Sequence, residues 1–283
     1  MSTPARPTPT RRPAWMPDWS ALLRDALQIA LPDAAGGPPG GAGFVYLVAD
    51  SHLGDARATV PEFVALLRSL PQARAVVFLG DLFQVWLALP KYWDAQTRAV
   101  LDGFRALQAA GTRTVFVVGN REFFLPRTPA EARARGLPFD DIVPGAAVLS
   151  WAGRRYGLTH GDVISLRDTP YLKWRHFSRG RAFEALFRAM PGGLARRIAR
   201  RLERAMSTTN REIKIQYPAE ELQAFARLAL PGLDGFFVGH FHRDEAIAAP
   251  GQSATLRIVP DWFSRKTVLR LTRSGEVERV TAG

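Results

Sequence analysis

An α/β layered fold is predicted for this 283-residue chain by three observations. Apolar runs of buried-strand length recur along it, helical patterns lie between them, and each run ends in polar, chemistry-bearing residues. The first run, Phe44-Val45-Tyr46-Leu47-Val48, ends at Asp50; the second, Ala75-Val76-Val77-Phe78-Leu79, ends at Gly80-Asp81. The third, Thr114-Val115-Phe116-Val117-Val118, ends at Gly119-Asn120, and helical patterns over residues 61–70 and 94–110 separate the three. Further on, Arg155-Tyr156-Gly157-Leu158-Thr159 leads into His160-Gly161-Asp162, and Gly235-Phe236-Phe237-Val238 into Gly239-His240-Phe241-His242. Alternating segments at 255–259 and 267–271 read as closing strands that a second sheet could hold. Ahead of all this, residues 1–43 are rich in Pro and Gly and read as a largely loose extension. One short helical pattern over Leu22, Leu23, Ala26, Leu27 and Ala30 docks it on the main domain, residues 44–283.

Composition narrows the function. With 47% hydrophobic residues the chain can bury one large core. It has no cysteine, which excludes disulfides, thiolate metal sites and a cysteine nucleophile, so any metal must take nitrogen and oxygen ligands. Arg11 and Arg12 are followed by Pro13, Met16, Pro17 and Asp18 where a signal peptide needs an apolar run, and no window approaches the roughly 20 apolar residues of a membrane span. The expected place is the cytoplasm. The formal charge of +12 calls for an anionic partner, and it is local: residues 173–214 hold 12 Lys or Arg against 3 Glu.

Open α/β sheets bind ligands beyond the carboxyl ends of their strands, and here five strand ends present Asp-x-His, Gly-Asp, Gly-Asn, His-Gly-Asp and Gly-His-x-His. Carboxylate, amide oxygen and imidazole suit Mn, Fe, Zn and similar ions, and two such ions about 3.5–4 Å apart can clamp a phosphate and activate water. Asp81 reads as a bridging carboxylate, with Asp50, His52 and His242 completing one ion and Asn120, His160 and His240 the other. Four of the five histidines sit in this set. Singly, a strand-terminal Asp is a common turn or cap residue and a lone His a common hydrogen-bonded structural residue. The ordered set of five points instead to chemistry.

These blocks resemble those of the calcineurin-like metallophosphoesterases over about residues 44–245. Gly119-Asn120-Arg121-Glu122 and Gly80-Asp81-Leu82-Phe83-Gln84-Val85-Trp86 are most similar to the Gly-Asn-Arg-Asp and Gly-Asp-Leu-Phe-Glu-x-Trp blocks of the UDP-2,3-diacylglucosamine pyrophosphohydrolases of lipid A synthesis. The resemblance implies a sandwich of two mixed sheets flanked by helices. It also implies two divalent ions (Mn first, then Fe, Zn or Co) and in-line attack of water on the α-phosphorus of an acylated sugar nucleotide, releasing UMP and a lipid monophosphate. Arginine stays protonated, so Arg121 is expected to bind phosphate rather than transfer a proton; the alternative is a structural ion pair with Glu122 or another carboxylate. The chain departs from the subfamily in Leu87-Ala88-Leu89-Pro90-Lys91 after Trp86, in Arg167 before Asp168, and in its N-terminal extension.

Phe183, Leu186, Phe187 and Met190, and then Leu194, Ile198 and Leu202 with Arg196, Arg197, Arg200, Arg201 and Arg204 around them, read as two amphipathic helices broken at Pro191-Gly192-Gly193. They resemble the helical cap of the lipid A enzymes, placed here at about residues 168–215, and Ser207, Asn210, Arg211 and Lys214, with Asp168, are the substrate contacts that resemblance implies. The basic, apolar-faced cap is expected to meet the inner-membrane surface peripherally. Rival readings are a phosphoesterase for another phospholipid, nucleotide or phosphoprotein, and a nuclease or nucleic-acid-binding module; the interleaved apolar residues argue against nucleic acid.

Overall fold

The N-terminal pattern divides into two elements. In the computed structural model, which describes residues 12–31, 43–54, 58–70, 73–191, 193–194, 197–198, 201 and 217–281, helix α1 (Trp19–Arg24) is capped by the Asp18 carboxylate, which accepts from the Ser20 and Ala21 amides. The chain then straightens into strand β1 (Leu27–Ala30), parallel to β8 (Ala146–Trp151). The single helix expected over Leu22 to Ala30 is therefore corrected. Ile29, buried between the sheets, rewards the extended form, and so short a window does not separate a helical period from an alternating one.

The strands expected from the apolar runs form. One sheet has the order β14-β13-β2-β3-β5-β7, in which β2 (Phe44–Val48), β3 (Ala73–Phe78), β5 (Arg113–Val117) and β7 (Asp141–Val143) are parallel, while β13 (Thr267–Leu271) pairs antiparallel with β2 and with β14 (Val277–Thr281). The other has the order β1-β8-β9-β10-β12-β11, with β9 (Arg154–Thr159), β10 (Gly235–Val238) and β12 (Thr255–Ile258) parallel and β11 (Glu245–Ala248) antiparallel at the edge. The two closing segments thus go to different sheets. A two-stranded ladder, β4 (Trp86–Leu87) with β6 (Glu122–Phe123), lies beside the strand ends.

Alternation along each strand feeds two cores. Val45, Leu47, Ala75, Val77, Val115 and Val117 face Leu149, Tyr156, Leu158 and Phe237 of the second sheet. Their alternate neighbours Val48, Val76, Phe78 and Phe116 face outward to α2 (Val60–Arg68) and α3 (Ala95–Ala109), where Phe63 and Phe104 close an aromatic cluster. On the far face of the second sheet, Phe236, Val238, Leu256 and Ile258 pack against Leu222, Phe225 and Ala226, with Trp19 and Leu22 alongside. The result is a helix–sheet–sheet–helix sandwich, as the sequence leads one to expect. Stacking brings the carboxyl ends of β2, β3, β5, β9 and β10 to one edge.

Between β9 and β10 run α5 (Thr169–Ser178) and α6 (Arg181–Ala189), after the short α4 (Pro129–Ala134) and before α7 (Ala219–Ala229) and α8 (Trp262–Arg265). The buried Phe187 of α6 packs with Phe123 and Phe124 beside β6, whereas Phe177, Leu186 and Leu194 are exposed. Most of the second amphipathic helix expected here, with Arg196, Arg200, Leu202 and Arg204, and the residues Ser207, Asn210, Arg211 and Lys214, lie outside the described residues; Ile198 is partly buried against the Phe187 cluster.

Candidate metal centre

The loop leaving β2 runs beside the loop leaving β3. The Asp50 amide donates to the Gly80 carbonyl at 3.1 Å and the His52 amide to the Asp81 carbonyl at 3.0 Å, which sets Asp50, His52 and Asp81 side by side. From the second sheet, the His240 amide donates to Asp50 Oδ2 at 2.8 Å. Close approach requires glycine at the strand ends: a Cβ on Gly119 would lie 2.5 Å from Asp81 Oδ1, and one on Gly80, whose φ is +82°, 2.6 Å from His160 Nδ1. The functional residues themselves carry backbone strain. Among the described residues eight non-glycine positions have positive φ, and Asp50, His52, Asp81, His240 and His242 are five of them. Each costs about 1–3 kcal/mol, which the surrounding structure must over-determine.

The seven expected ligands converge as two groups. In one, Asp50, His52 and His242 offer atoms within 4.8 Å of one another; in the other, Asp81, His160 and His240 do. His52 Nε2 lies 3.1 Å from His242 Nε2, and Asp50 Oδ1 is 3.9 Å from the first and 3.6 Å from the second. In the second group Asn120 Oδ1 sits 3.0 Å from His160 Nε2 and 3.1 Å from His240 Nδ1. Asp81 reaches both, with Oδ2 3.9 Å from His52 Nε2 and Oδ1 3.6 Å from His160 Nε2.

Lone-pair accounting shows what such a cluster accepts. His160 Nδ1 lies 2.6 Å from the Leu79 carbonyl, an acceptor only, so that nitrogen carries the proton. Nε2, facing Asn120 Oδ1 and Asp81 Oδ1, is then the atom that must carry either a second proton or a metal ion. Asp50 Oδ1 is buried without a hydrogen-bond partner among the described residues. Acceptors facing acceptors in a buried place are reconciled by a cation between them, and the donor set of imidazole, carboxylate and amide oxygen fits divalent ions of the Mn, Fe and Zn kind.

In the metal-free protein a proton on His160 fills that role. Burial opposes ionisation of Asp50, but His242, His160 and His52 hold its carboxyl well below the usual range. Burial also opposes charge on His160, yet Asp81, Asp50 and Asp162 outweigh it and push its pKa up to about 9. Burial, and then the neighbouring His160 charge, bring His240 down to about 3. Asp81 is raised by burial and by Asp50, against His160 and Arg121.

Arg121 is 3% exposed and lies against Asp81 rather than Glu122: its Nε is 3.8 Å from Asp81 Oδ2, and its Nη1 donates to the Gln84 carbonyl at 3.3 Å. Asp168 caps α5, accepting from the Tyr171 amide at 3.1 Å. The sequence showed two supporting groups without their roles. The Glu122 carboxylate accepts from the Asp81, Leu82 and Gly119 amides at 3.0, 2.9 and 2.7 Å, and burial with the Asp81 charge raises its pKa to about 7. Asp162 accepts from Tyr171 Oη and, at 2.8 Å, from Arg175 Nε. The spacing Tyr171, Arg175, Arg179 was the available signal for the second, since residues four apart share a helix face.

Residues 45–244 match the family model described as calcineurin-like phosphoesterase. The chain is 32% identical, over 245 residues covering 81% of it and 94% of the relative, to a Stenotrophomonas maltophilia (strain R551-3) protein named UDP-2,3-diacylglucosamine hydrolase. A protein of the same name from Xanthomonas campestris pv. campestris (strain 8004) is 30% identical over 81% of this chain and 95% of the relative.

Proposed function

The chain belongs to the calcineurin-like phosphoesterase family and is a metal-dependent hydrolase, and from that premise we propose that it cleaves UDP-2,3-diacylglucosamine to UMP and 2,3-diacylglucosamine 1-phosphate in lipid A synthesis. The observation that carries the reading is the pair of ligand groups meeting at Asp81, in a chain about 30% identical to hydrolases of that name.

Asp50, His52 and His242 would hold one divalent ion and Asn120, His160 and His240 the other, with Asp81 between them and manganese the first choice. Bound there, the ions would supply positive charge at the phosphoryl oxygens and lower the pKa of water toward neutrality. The Nε of Arg121 is buried without a hydrogen-bond partner among the described residues, so its planar guanidinium is poised to take a phosphate oxygen. Because the leaving group is itself a phosphate, no proton donor need replace the arginine. Asp168, Ser207, Asn210, Arg211 and Lys214 are the further substrate contacts.

Among the described residues no helix is long and apolar enough to cross a membrane. Exposed Phe177 and Leu186 stand among Lys173, Arg181 and Arg188 on α5 and α6, a surface suited to lie on an anionic inner-membrane leaflet from the cytoplasmic side.

The test is UMP release from UDP-2,3-diacylglucosamine by metal-stripped protein with and without Mn²⁺. Metal-dependent UMP is the expected result. Activity on a generic phosphodiester without UMP release would keep the chemistry and reject the lipid substrate.

A further inference from the structure

We propose that α5 is the clamp of one half of the metal centre only, with Arg175 and Arg179 as positioning residues for Asn120 and His160. This rests on the ligand reading above.

Tyr171 and Arg175 share one face of α5, and Arg179, four residues on, is its C-cap. Together they grip two loops. Tyr171 Oη and Arg175 Nε both donate to Asp162 Oδ2, the latter at 2.8 Å, and Asp162 lies two residues beyond His160 with its side chain 3% exposed. Arg179 Nη2 donates to the Gly119 carbonyl at 2.7 Å, one residue before Asn120. The Gly119 amide is held from the opposite side by Glu122 at 2.7 Å. Gly119 is therefore pinned at both its N–H and its C=O, and it has no room to shift toward Asp81.

The other half is braced differently. Asp50 and His52 are tied by backbone to Gly80 and Asp81, the Trp262 and Phe263 amides donate to the Ala49 and Asp50 carbonyls, and the Phe263 ring packs edge-on to His52 at 5.7 Å. All of these partners belong to the sandwich. Meanwhile the opposite side of α5 joins α6 through Trp174, Phe177 and Phe183, whose rings stand 5.3 to 6.0 Å apart. A displacement of these two helices is thus transmitted to Asn120 and His160 through three side chains and leaves Asp50 and His52 in place. Supporting residues of this kind typically change metal affinity by about 10- to 100-fold.

The experiment titrates metal-free full-length protein with Mn²⁺ by equilibrium dialysis and by electron paramagnetic resonance, for wild type, Arg175→Met, Arg179→Met and the milder Tyr171→Phe, which removes only a hydroxyl. Two ions are expected in the wild type. In the arginine variants one ion should keep its affinity and the other weaken about 10- to 100-fold. The spectrum of the remaining ion should match that of Asn120→Ala and not that of His52→Ala. Tyr171→Phe should shift the same site by less, and Arg175→Lys should restore part of the loss. Equal weakening of both sites, or two sites at wild-type affinity in all variants, overturns the proposal alone; fewer than two ions in the wild type overturns it together with the ligand reading.

Discussion

The two halves of the centre use similar side chains and are built in opposite ways. Asp50 and His52 stand on a loop braced by the sandwich itself, through Gly80, Asp81, Trp262 and Phe263. Asn120 and His160 stand on loops gripped by a helix of the long β9–β10 connection, through Arg175, Arg179 and Tyr171. The first half inherits its geometry from the core. The second rests on a segment whose far face is apolar and partly exposed, so under the proposed clamp a rigid fold leaves half of the centre adjustable.

Asp81 is where the comparison is most easily broken, since its two oxygens face His52 and His160. Asp81→Ala should remove both ions and lower kcat about a thousandfold, while Asp50→Ala should strip mainly the core-braced half; near-ultraviolet circular dichroism should stay native in both. If Asp81→Ala still binds two ions, the halves do not meet at this carboxylate.

Glu122 is the support they share. Its carboxylate accepts from the amides of Asp81, Leu82 and Gly119; Glu122→Ala leaves these buried donors unpaired at about 1–3 kcal/mol each, so a loss of about 3 kcal/mol or more is expected by urea denaturation. Its pKa, raised to about 7, adds a sign: the stability from its neutral form is complete below about 4.5 and is lost as pH rises through 7. Glu122→Gln should flatten that slope in the metal-free protein. A slope unchanged in Glu122→Gln would assign it elsewhere.

How much of this was legible in the sequence follows from how local each feature is. Strand runs with a ligand at the end are local, so β2, β3, β5, β9 and β10 and all seven clustered residues could be read directly. Strand β1 could not, because its extended form is decided by pairing with β8, more than a hundred residues away. Glu122 could be seen but not understood, since its three partners are backbone amides from two loops. Arg175 and Arg179 enter the sequence only through the local excess of positive charge, because composition gives their number and not their direction. Only folding turns that face of α5 toward Asp162.

The halves should also differ in proton release. His160, with a pKa near 9 in the metal-free protein, is protonated at neutral pH and must lose that proton to ligate, whereas His240, near 3, is already neutral. Uptake of Mn²⁺ into the α5-gripped half at pH 7.5 should therefore release about one proton, and its affinity should rise about tenfold per pH unit until about pH 9. Calorimetry in two buffers of different ionisation enthalpy measures this. Release of no proton would place His160 neutral before binding and remove one physical distinction between the halves.

The smallest expected effect comes from the N-terminal segment, which reaches the same half by another route. Trp19 Nε1 donates at 3.0 Å to the carbonyl of Val163, three residues beyond His160, while its ring packs edge-on to Phe225 at 5.6 Å. Trp19→Phe keeps the ring and deletes the hydrogen bond, which costs about 1 kcal/mol, or a Tm lower by about 2–4 °C. If the His160 loop answers to both attachments, this variant should weaken Mn²⁺ in the α5-gripped half by a few-fold, less than Arg175→Met, and leave the core-braced half unchanged. A fall in Tm with both affinities intact would make Trp19 an anchor of the sheet alone, and the clamp on His160 would then be the work of α5 by itself.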